Sequence, residues 1–385
     1  LVCMKYLVSG KYNTKEKELT LQVDIYDGGG GIKEVNIYQN GKLIYIDDEV
    51  KSINETNKIR KTYKVDLMNG QNDFKVVVLN YQKVESKADY IKILYSGDML
   101  ATANLYILSV GVNQYKNPKY SLNYAQPDAK SFTDKVEEKA GKMFKSVKKI
   151  EIYDYEATKE NIMNAFETVE KVAKPEDVFV FYYAGHGSLD DQDDDRYYLV
   201  PTDVTQLYGD TDQLKQKAIS ADDLKENLSK IKPQKQLILL DACHSGGAMK
   251  AFKTRAAGSE EKALVQLARA SGVVLIAASQ SQQFATEFEQ LGHGVFTYSL
   301  LEALDGKADS GDGKVTVKEI ARYMEERVPQ ISEEFNGEAQ FPTGFSHGQD
   351  FPISLLANAT DTSLTIEEES SESEDGEESE GDGDN

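Results

Sequence analysis

Cysteine occurs only twice in this chain of 385 residues, as Cys3 and Cys243, and histidine only four times. Two cysteines do not make a disulfide scaffold at this size, so a free thiol in a reducing compartment, and with it a cytoplasmic location, is the simpler expectation. His186, His244, His293 and His347 are scattered and form no Cys/His cluster of the kind that holds zinc. Long apolar runs are missing as well. None approaches the roughly 18 residues that a membrane-spanning helix needs, so no membrane partner is expected. The first residues, LVCMKYLVSGKYN, lack the basic start and apolar block of an export signal, and a chain beginning at Leu1 reads as a fragment whose own start lies upstream. Positive charge is in deficit. Lys and Arg number 44 against 65 Asp and Glu, for a formal charge of −21, and with no basic patch the chain is a poor phosphate binder, which argues against a nucleic-acid partner.

What remains is ordinary for a soluble globular protein: 40% apolar and 28% charged residues, over a length that suits two domains. Residues 1–97 alternate with period two through LTLQVDIYD (19–27), IKEVNIY (32–38), KLIYID (42–47), KTYKVDL, DFKVVVLN and DYIKILYS, with an Asn40-Gly41 turn between the second and third. That pattern predicts a small all-β, Ig-like sandwich without chemistry of its own, suited at most to engaging a protein partner. From residue 104 the pattern changes to short apolar runs without alternation, NLYILSVGV, SVKKIEIYD, DVFVFYY, QKQLILLDA and SGVVLIAAS. Between them lie helical stretches such as AQPDAKSFTDKVEEKA, TKENIMNAFETVEKVA and GVFTYSLLEAL. Alternation of this kind predicts an open, mostly parallel α/β sheet flanked by helices over 104–357. Residues 358–385 follow as an acidic tail; eleven Asp or Glu and no Lys or Arg fall within 367–385, and disorder is expected there.

Open α/β sheets bind ligands at the carboxyl ends of their strands. Two strand ends carry chemistry: FVFYY runs into Ala184-Gly185-His186-Gly187, and LILLD into Ala242-Cys243-His244-Ser245. A thiol becomes a strong nucleophile when an imidazole takes its proton. His244 is adjacent to Cys243, but consecutive side chains at a strand end point to opposite sides of the sheet. His186 is the better partner, flanked by glycines and reachable if the two strands are neighbours. The backbone N–H groups of Gly187 and Cys243 could then form an oxyanion hole. Taken alone, a Cys at a strand end is more simply a small core residue. His293, in LGHGVFTY, precedes a helix and is read as loop structure.

YYAGHG (182–187) and DACHSGG (241–247), in this order and each after a strand, resemble the caspase and metacaspase family of cysteine peptidases, the bacterial caspase-like members especially. The likeness extends through LYILSVGVNQY, LNYAQPDAKSF, YYLVPTD and GHGVFTYSLLEAL and covers roughly residues 104–345. It implies a caspase-like fold and a Cys243–His186 dyad that hydrolyses peptide bonds of protein or peptide substrates. By the same resemblance Asp128 and Asp241 match the aspartates that line the pocket for a basic residue, which implies cleavage after Arg or Lys. A buried carboxylate does pair well with a substrate cation, although Asp128 could equally cap the start of its helix. Family members are often cut between their two subunits, which points to self-cleavage in 250–262, after Lys250, Lys253 or Arg255.

Two departures from the family stand out. Ala184 replaces a serine common two residues before the histidine, and of the acidic calcium ligands only Asp203, Asp222 and Asp223 find matches, the next falling at Lys250. No metal site is assigned, no cofactor is expected to be required, and Asp222 and Asp223 after Ser220 read well as a capped helix start. DSGDGKVTVKE (309–319) has Ala308 and Ser310 at EF-hand ligand positions and reads as a turn before a helix. Rival expectations are another thiol peptidase of the same broad clan, gingipain-like or separase-like, and a non-catalytic scaffold or interaction module.

Overall fold

The computed structural model describes residues 2–6, 13–27, 31–48, 58–68, 70–95, 103–189, 196–207, 211–242, 253–278, 287–288, 290–337 and 339–356. Cys243, His244, Lys250 and the acidic tail lie outside them, so nothing below describes their placement.

The first eight strands are β1 (Val2–Tyr6), β2 (Asn13–Thr14), β3 (Glu18–Tyr26), β4 (Glu34–Gln39), β5 (Lys42–Asp47), β6 (Lys58–Asp66), β7 (Gly70–Leu79) and β8 (Asp89–Tyr95). They form two sheets, β1-β3-β6 and β2-β8-β7-β4-β5. Their alternating residues meet in one core: Leu21, Val23 and Val65 from the first sheet lie against Val35, Ile37, Phe74, Val76 and Ile93 from the second. Period two predicts this directly, since it gives each strand one apolar face.

The next elements are β9 (Leu105–Gly111), α1 (Ala125–Ala140), β10 (Val147–Tyr153), α2 (Lys159–Val172), β11 (Val178–Ala184), β12 (His186–Leu189) and β13 (Tyr197–Val200). Then come α3 (Thr211–Lys217), β14 (Ile219–Ser220), α4 (Ala221–Lys230), β15 (Lys235–Asp241), α5 (Lys253–Ser271) and β16 (Val274–Ala277). The chain continues through β17 (Glu287–Phe288), β18 (His293–Gly294), α6 (Val295–Glu302), β19 (Lys314–Thr316), α7 (Val317–Asn336), β20 (Thr343–Ser346) and β21 (Pro352–Leu355). Six strands make the central sheet in the order β10-β9-β11-β15-β16-β20, all parallel except β20 at the edge. Its middle strands are apolar on both faces because helices cover both. Leu105, Ile107, Val180, Tyr182, Leu237 and Leu239 pack toward α1, α6 and α7, while Tyr106, Leu108, Phe179, Phe181, Ile238 and Leu240 pack toward α2, α4 and α5. The polar exception in β9, Ser109, is buried but donates its hydroxyl to the Ala129 carbonyl of α1 at 3.0 Å. Residues 309–313 do form a turn, in which the Asp309 carboxylate accepts from the N–H groups of Gly311 and Gly313 before α7 begins.

The N-terminal sheets dock on the α/β unit through the β4–β5 hairpin. Asn40 and Gly41 make its turn at φ 53° and 91°, the geometry that an Asn-Gly hairpin favours. Gly272 lets this turn approach, since a Cβ there would overlap the Gly41 carbonyl. The Asn40 amide donates to Gln234 Oε1 at 2.8 Å, and Lys225 of α4 pairs with Glu34 at 3.0 Å. Lys42, fully buried, donates its amine to the Ile231 carbonyl at the carboxyl end of α4. A cation suits that end of a helix dipole. Burial nevertheless pushes the Lys42 amine down from its usual 10.5 to about 7.

That shift has a definite sign. Between about pH 7 and the unfolded value the folded protein has shed a proton that the unfolded chain keeps, so stability rises with pH by up to about 1.4 kcal/mol per unit. Below about pH 7 both states hold the proton and this slope vanishes. Lys42→Met should flatten the rise in urea unfolding measured from about pH 6 to 9; equal slopes in the two proteins would show that the amine is not held dry.

Candidate functional site

The register between β11 and β15 sets the geometry. These strands are parallel neighbours with Ala184 opposite Asp241, and the Gly185 N–H donates to the Asp241 carbonyl at 3.1 Å. His186 therefore follows, by two residues, the position level with Asp241. It does not simply end a strand, as the sequence suggested, but begins β12, which folds back antiparallel on β13 with His186 opposite Val200. The short hairpin escaped sequence reading because HGSL and YYLV are four residues each.

The imidazole of His186 is buried. Its Nε2 lies 2.7 Å from the Tyr120 carbonyl oxygen. A carbonyl only accepts, so Nε2 carries the proton and Nδ1 is the basic ring nitrogen. The carbonyl is presented by a short helical turn over Pro118–Tyr120, whose start is capped by the Asn117 side chain. Asn117 in turn donates to the Thr205 carbonyl at 2.9 Å. A tyrosine cage holds the rest of the loop. The Tyr115 ring lies 5.0 Å from the imidazole and its hydroxyl accepts the His186 N–H at 2.9 Å, while the Tyr183 hydroxyl donates to the Val200 carbonyl at 2.7 Å. Burial raises both phenols well above their usual value, so neither competes with the imidazole as a base. The Tyr197 hydroxyl donates to the Ala242 carbonyl at 3.1 Å, tying β13 to the residue before position 243. The glycines on either side of His186 are required by these rings: a Cβ on Gly185 would lie 2.8 Å from the Tyr183 oxygen, and one on Gly187 would collide with Tyr197.

A second cluster lies on the α1 and α6 face of the sheet. Asp128 does not cap its own helix; α1 is preceded by Tyr124, and no side chain caps its start. Its carboxylate reaches across to α6 instead, taking His293 Nδ1 at 2.6 Å on one oxygen and the Gly294 N–H at 3.0 Å on the other. Asp241 accepts from the Thr297 hydroxyl at 2.7 Å, and Thr297 contacts the Tyr182 hydroxyl at 2.6 Å. Both carboxylates converge on Gly294, whose Cβ would sit 3.1 Å from Asp128 Oδ2 and 3.5 Å from Asp241 Oδ2. Asp128 and Asp241, far apart in sequence, are thus brought together. His293 does precede a helix, as read, but its ring belongs to this cluster, which sequence reading missed; its Gly-His-Gly setting, the same as that of His186, was the available signal.

The other candidates fare differently. Asp223 is half of a capping box with Ser220 and pairs with Lys159 at 2.8 Å. Asp203 keeps one carboxylate oxygen buried without a hydrogen-bond partner. Among the described residues no group of three His, Cys, Asp or Glu side chains is placed to hold a metal. Lys253 and Arg255 fall in the first turn of α5, whose later residues Ala263, Leu264 and Leu267 are buried in the core. No helix among the described residues is long and apolar enough to cross a membrane.

A family model described as the caspase domain matches residues 106–351. The yeast Meyerozyma guilliermondii has a metacaspase-1 that is 35% identical over 100 residues, 24% of this chain and 22% of that protein. The matched part thus spans about a fifth of the relative's length. A crystal structure of a Geobacter sulfurreducens protein covers 64% of this chain and 94% of its own at 18% identity and a TM-score of 0.43. Fibronectin(III)-like modules of Clostridium thermocellum CbhA cover 25% of this chain and 98% of theirs at 20% identity and a TM-score of 0.20.

The cage predicts a packing penalty. In a Cys243→Ala background, where activity plays no part, Gly187→Ala should lower stability by about 1–3 kcal/mol as Tyr197 is displaced. Denaturant midpoints and near-ultraviolet dichroism of the tyrosines would record it; an unchanged midpoint would mean that the hairpin packs otherwise.

Proposed function

The chain belongs to the caspase domain family of peptidases, and from that premise we propose that it is a cysteine endopeptidase cutting after Arg or Lys, with Cys243 as nucleophile and His186 as base. The observation that carries this reading is the level pairing of Ala184 with Asp241. Residues 186 and 243 each come two positions after that pair in sequence, beyond the ends of neighbouring parallel strands about 4.8 Å apart.

In the proposed reaction His186 Nδ1 takes the thiol proton and the Cys243 thiolate adds to the scissile carbonyl. The oxyanion so formed is met by backbone N–H groups at Gly187 and Cys243. The imidazolium, its Nε2–H held by the Tyr120 carbonyl, returns the proton to the leaving amine as the bond breaks and a thioester remains. Water, deprotonated by the same nitrogen, then hydrolyses the thioester and restores the thiol. The buried tyrosine cage fixes the ring for both transfers. Asp128 and Asp241 supply the negative charge that a substrate Arg or Lys requires, the guanidinium being able to fork between oxygens.

Self-cleavage belongs to the same proposal. Peptidases bind substrate in extended form, so cutting after Lys253 or Arg255 requires the first turn of α5 to open, whereas Lys250 precedes that helix. The N-terminal sheets are proposed to receive a protein partner, and the location remains proposed as cytoplasmic.

Peptide reporters ending in Arg, Lys or Asp test the reading, each with and without calcium. Arg and Lys reporters should be cleaved, Cys243→Ala should lose at least about 10³-fold in kcat, and Asp241→Asn should lose about 10²-fold in kcat/KM on basic reporters. The wild type should appear clipped on a gel where Cys243→Ala stays whole. No turnover on any reporter, before or after trimming, would favour the scaffold.

A further inference from the structure

We infer that His293 is a specificity-determining residue of the Asp128–Asp241 pocket, setting how strongly that pocket selects a charged side chain over an uncharged one of the same shape. The inference rests on the proposed reading of the two aspartates as the substrate pocket. The carboxylates converge on Gly294, yet the protein treats them differently. Asp241 meets neutral hydroxyls, Thr297 and behind it Tyr182. Burial, reinforced by the charges of Asp241 and Asp128, holds the Tyr182 phenol well above its usual value, so it contributes no charge of its own. Asp128, almost wholly buried, meets an imidazole at 2.6 Å whose side chain remains 23% exposed.

Two carboxylates in one partly dry pocket repel each other, and a positive partner relieves the repulsion. His293 supplies that partner from inside the protein, as an N–H dipole in its neutral form and as a full charge when protonated. A basic substrate side chain entering the pocket therefore meets less than two uncompensated negative charges and shares Asp128 with the imidazole. The ring sets the strength of charge selection. Because Gly294 follows it directly and caps α6, its position is fixed by the fold rather than by the substrate.

The test compares reporters ending in Arg and in citrulline, which replaces the guanidinium by a neutral urea of the same shape. The quantity read is the ratio of their kcat/KM values in the full chain. His293→Gln keeps an N–H donor for Asp128 but cannot take on a proton; the ratio should rise about three- to tenfold, mainly through KM for the Arg reporter. His293→Lys installs a fixed cation and should lower the ratio. If His293 only held the loop, both reporters would suffer equally in each variant and the ratio would stay put, which overturns the inference. A wild-type ratio near one is a different failure, that of the pocket reading itself. Should His293→Gln yield no folded protein, the wild type against His293→Lys decides alone, an unchanged ratio again being fatal.

Discussion

Seven paired residues of two parallel strands, Val178–Ala184 against Lys235–Asp241, fix everything else in the site. A slip of one residue would move every side chain of β15 to the other face of the sheet. Asp241 would then leave the α1 and α6 side, where Thr297 meets it, and would no longer stand level with Ala184. The register cannot slip, because both faces of both strands are buried in separate cores. The apolar runs that make these strands look merely structural are thus what gives the site its precision.

From that fixed edge the two clusters divide by face. His186 is held by the Tyr120 carbonyl and the Tyr115 hydroxyl from the segment after β9 and by the Tyr183 hydroxyl of β11, all of them neutral. The carboxylate cluster is held by α1 and by the start of α6, and it carries charge. Such a separation has a chemical consequence. A base close to two carboxylates would be driven toward its protonated form, whereas the Tyr120 carbonyl and the Tyr115 phenol bring no net charge to the His186 ring.

The sequence made some of this plain and concealed the rest for identifiable reasons. The five parallel strands of the central sheet and the whole of α1 could be read, since apolar runs and helical period are local signals. The adjacency of β11 and β15, on which the proposed partnership of His186 and Cys243 rests, could be posed only as a condition. Nothing local announces which parallel strands are neighbours. Asp128 is the sharpest case: helix capping and pocket lining were equally open, and the structure has its carboxylate reaching the start of a different helix, 166 positions on. The same distance hid His293. Lys42 was hidden by the opposite cause, since a lysine at the start of a strand gives no hint that a helix end from another part of the chain will bury it.

The N-terminal sheets touch the α/β unit at the far end of the strand that matters. Lys42 and Asn40 grip the residues between α4 and β15, Ile231 and Gln234, just before β15 begins. The site lies beyond its other end, after seven residues that rise about 20 Å in all. A strand buried on both faces and paired on both sides does not bend over that length to transmit a small displacement. The docking contact therefore bears on whether β15 is seated at all, by holding the turn that feeds it, rather than on the shape of the pocket. That makes the N-terminal unit a support for the edge on which His186 and Asp241 depend, and any influence it has on catalysis should follow the folding of the sheet instead of the charge of the site.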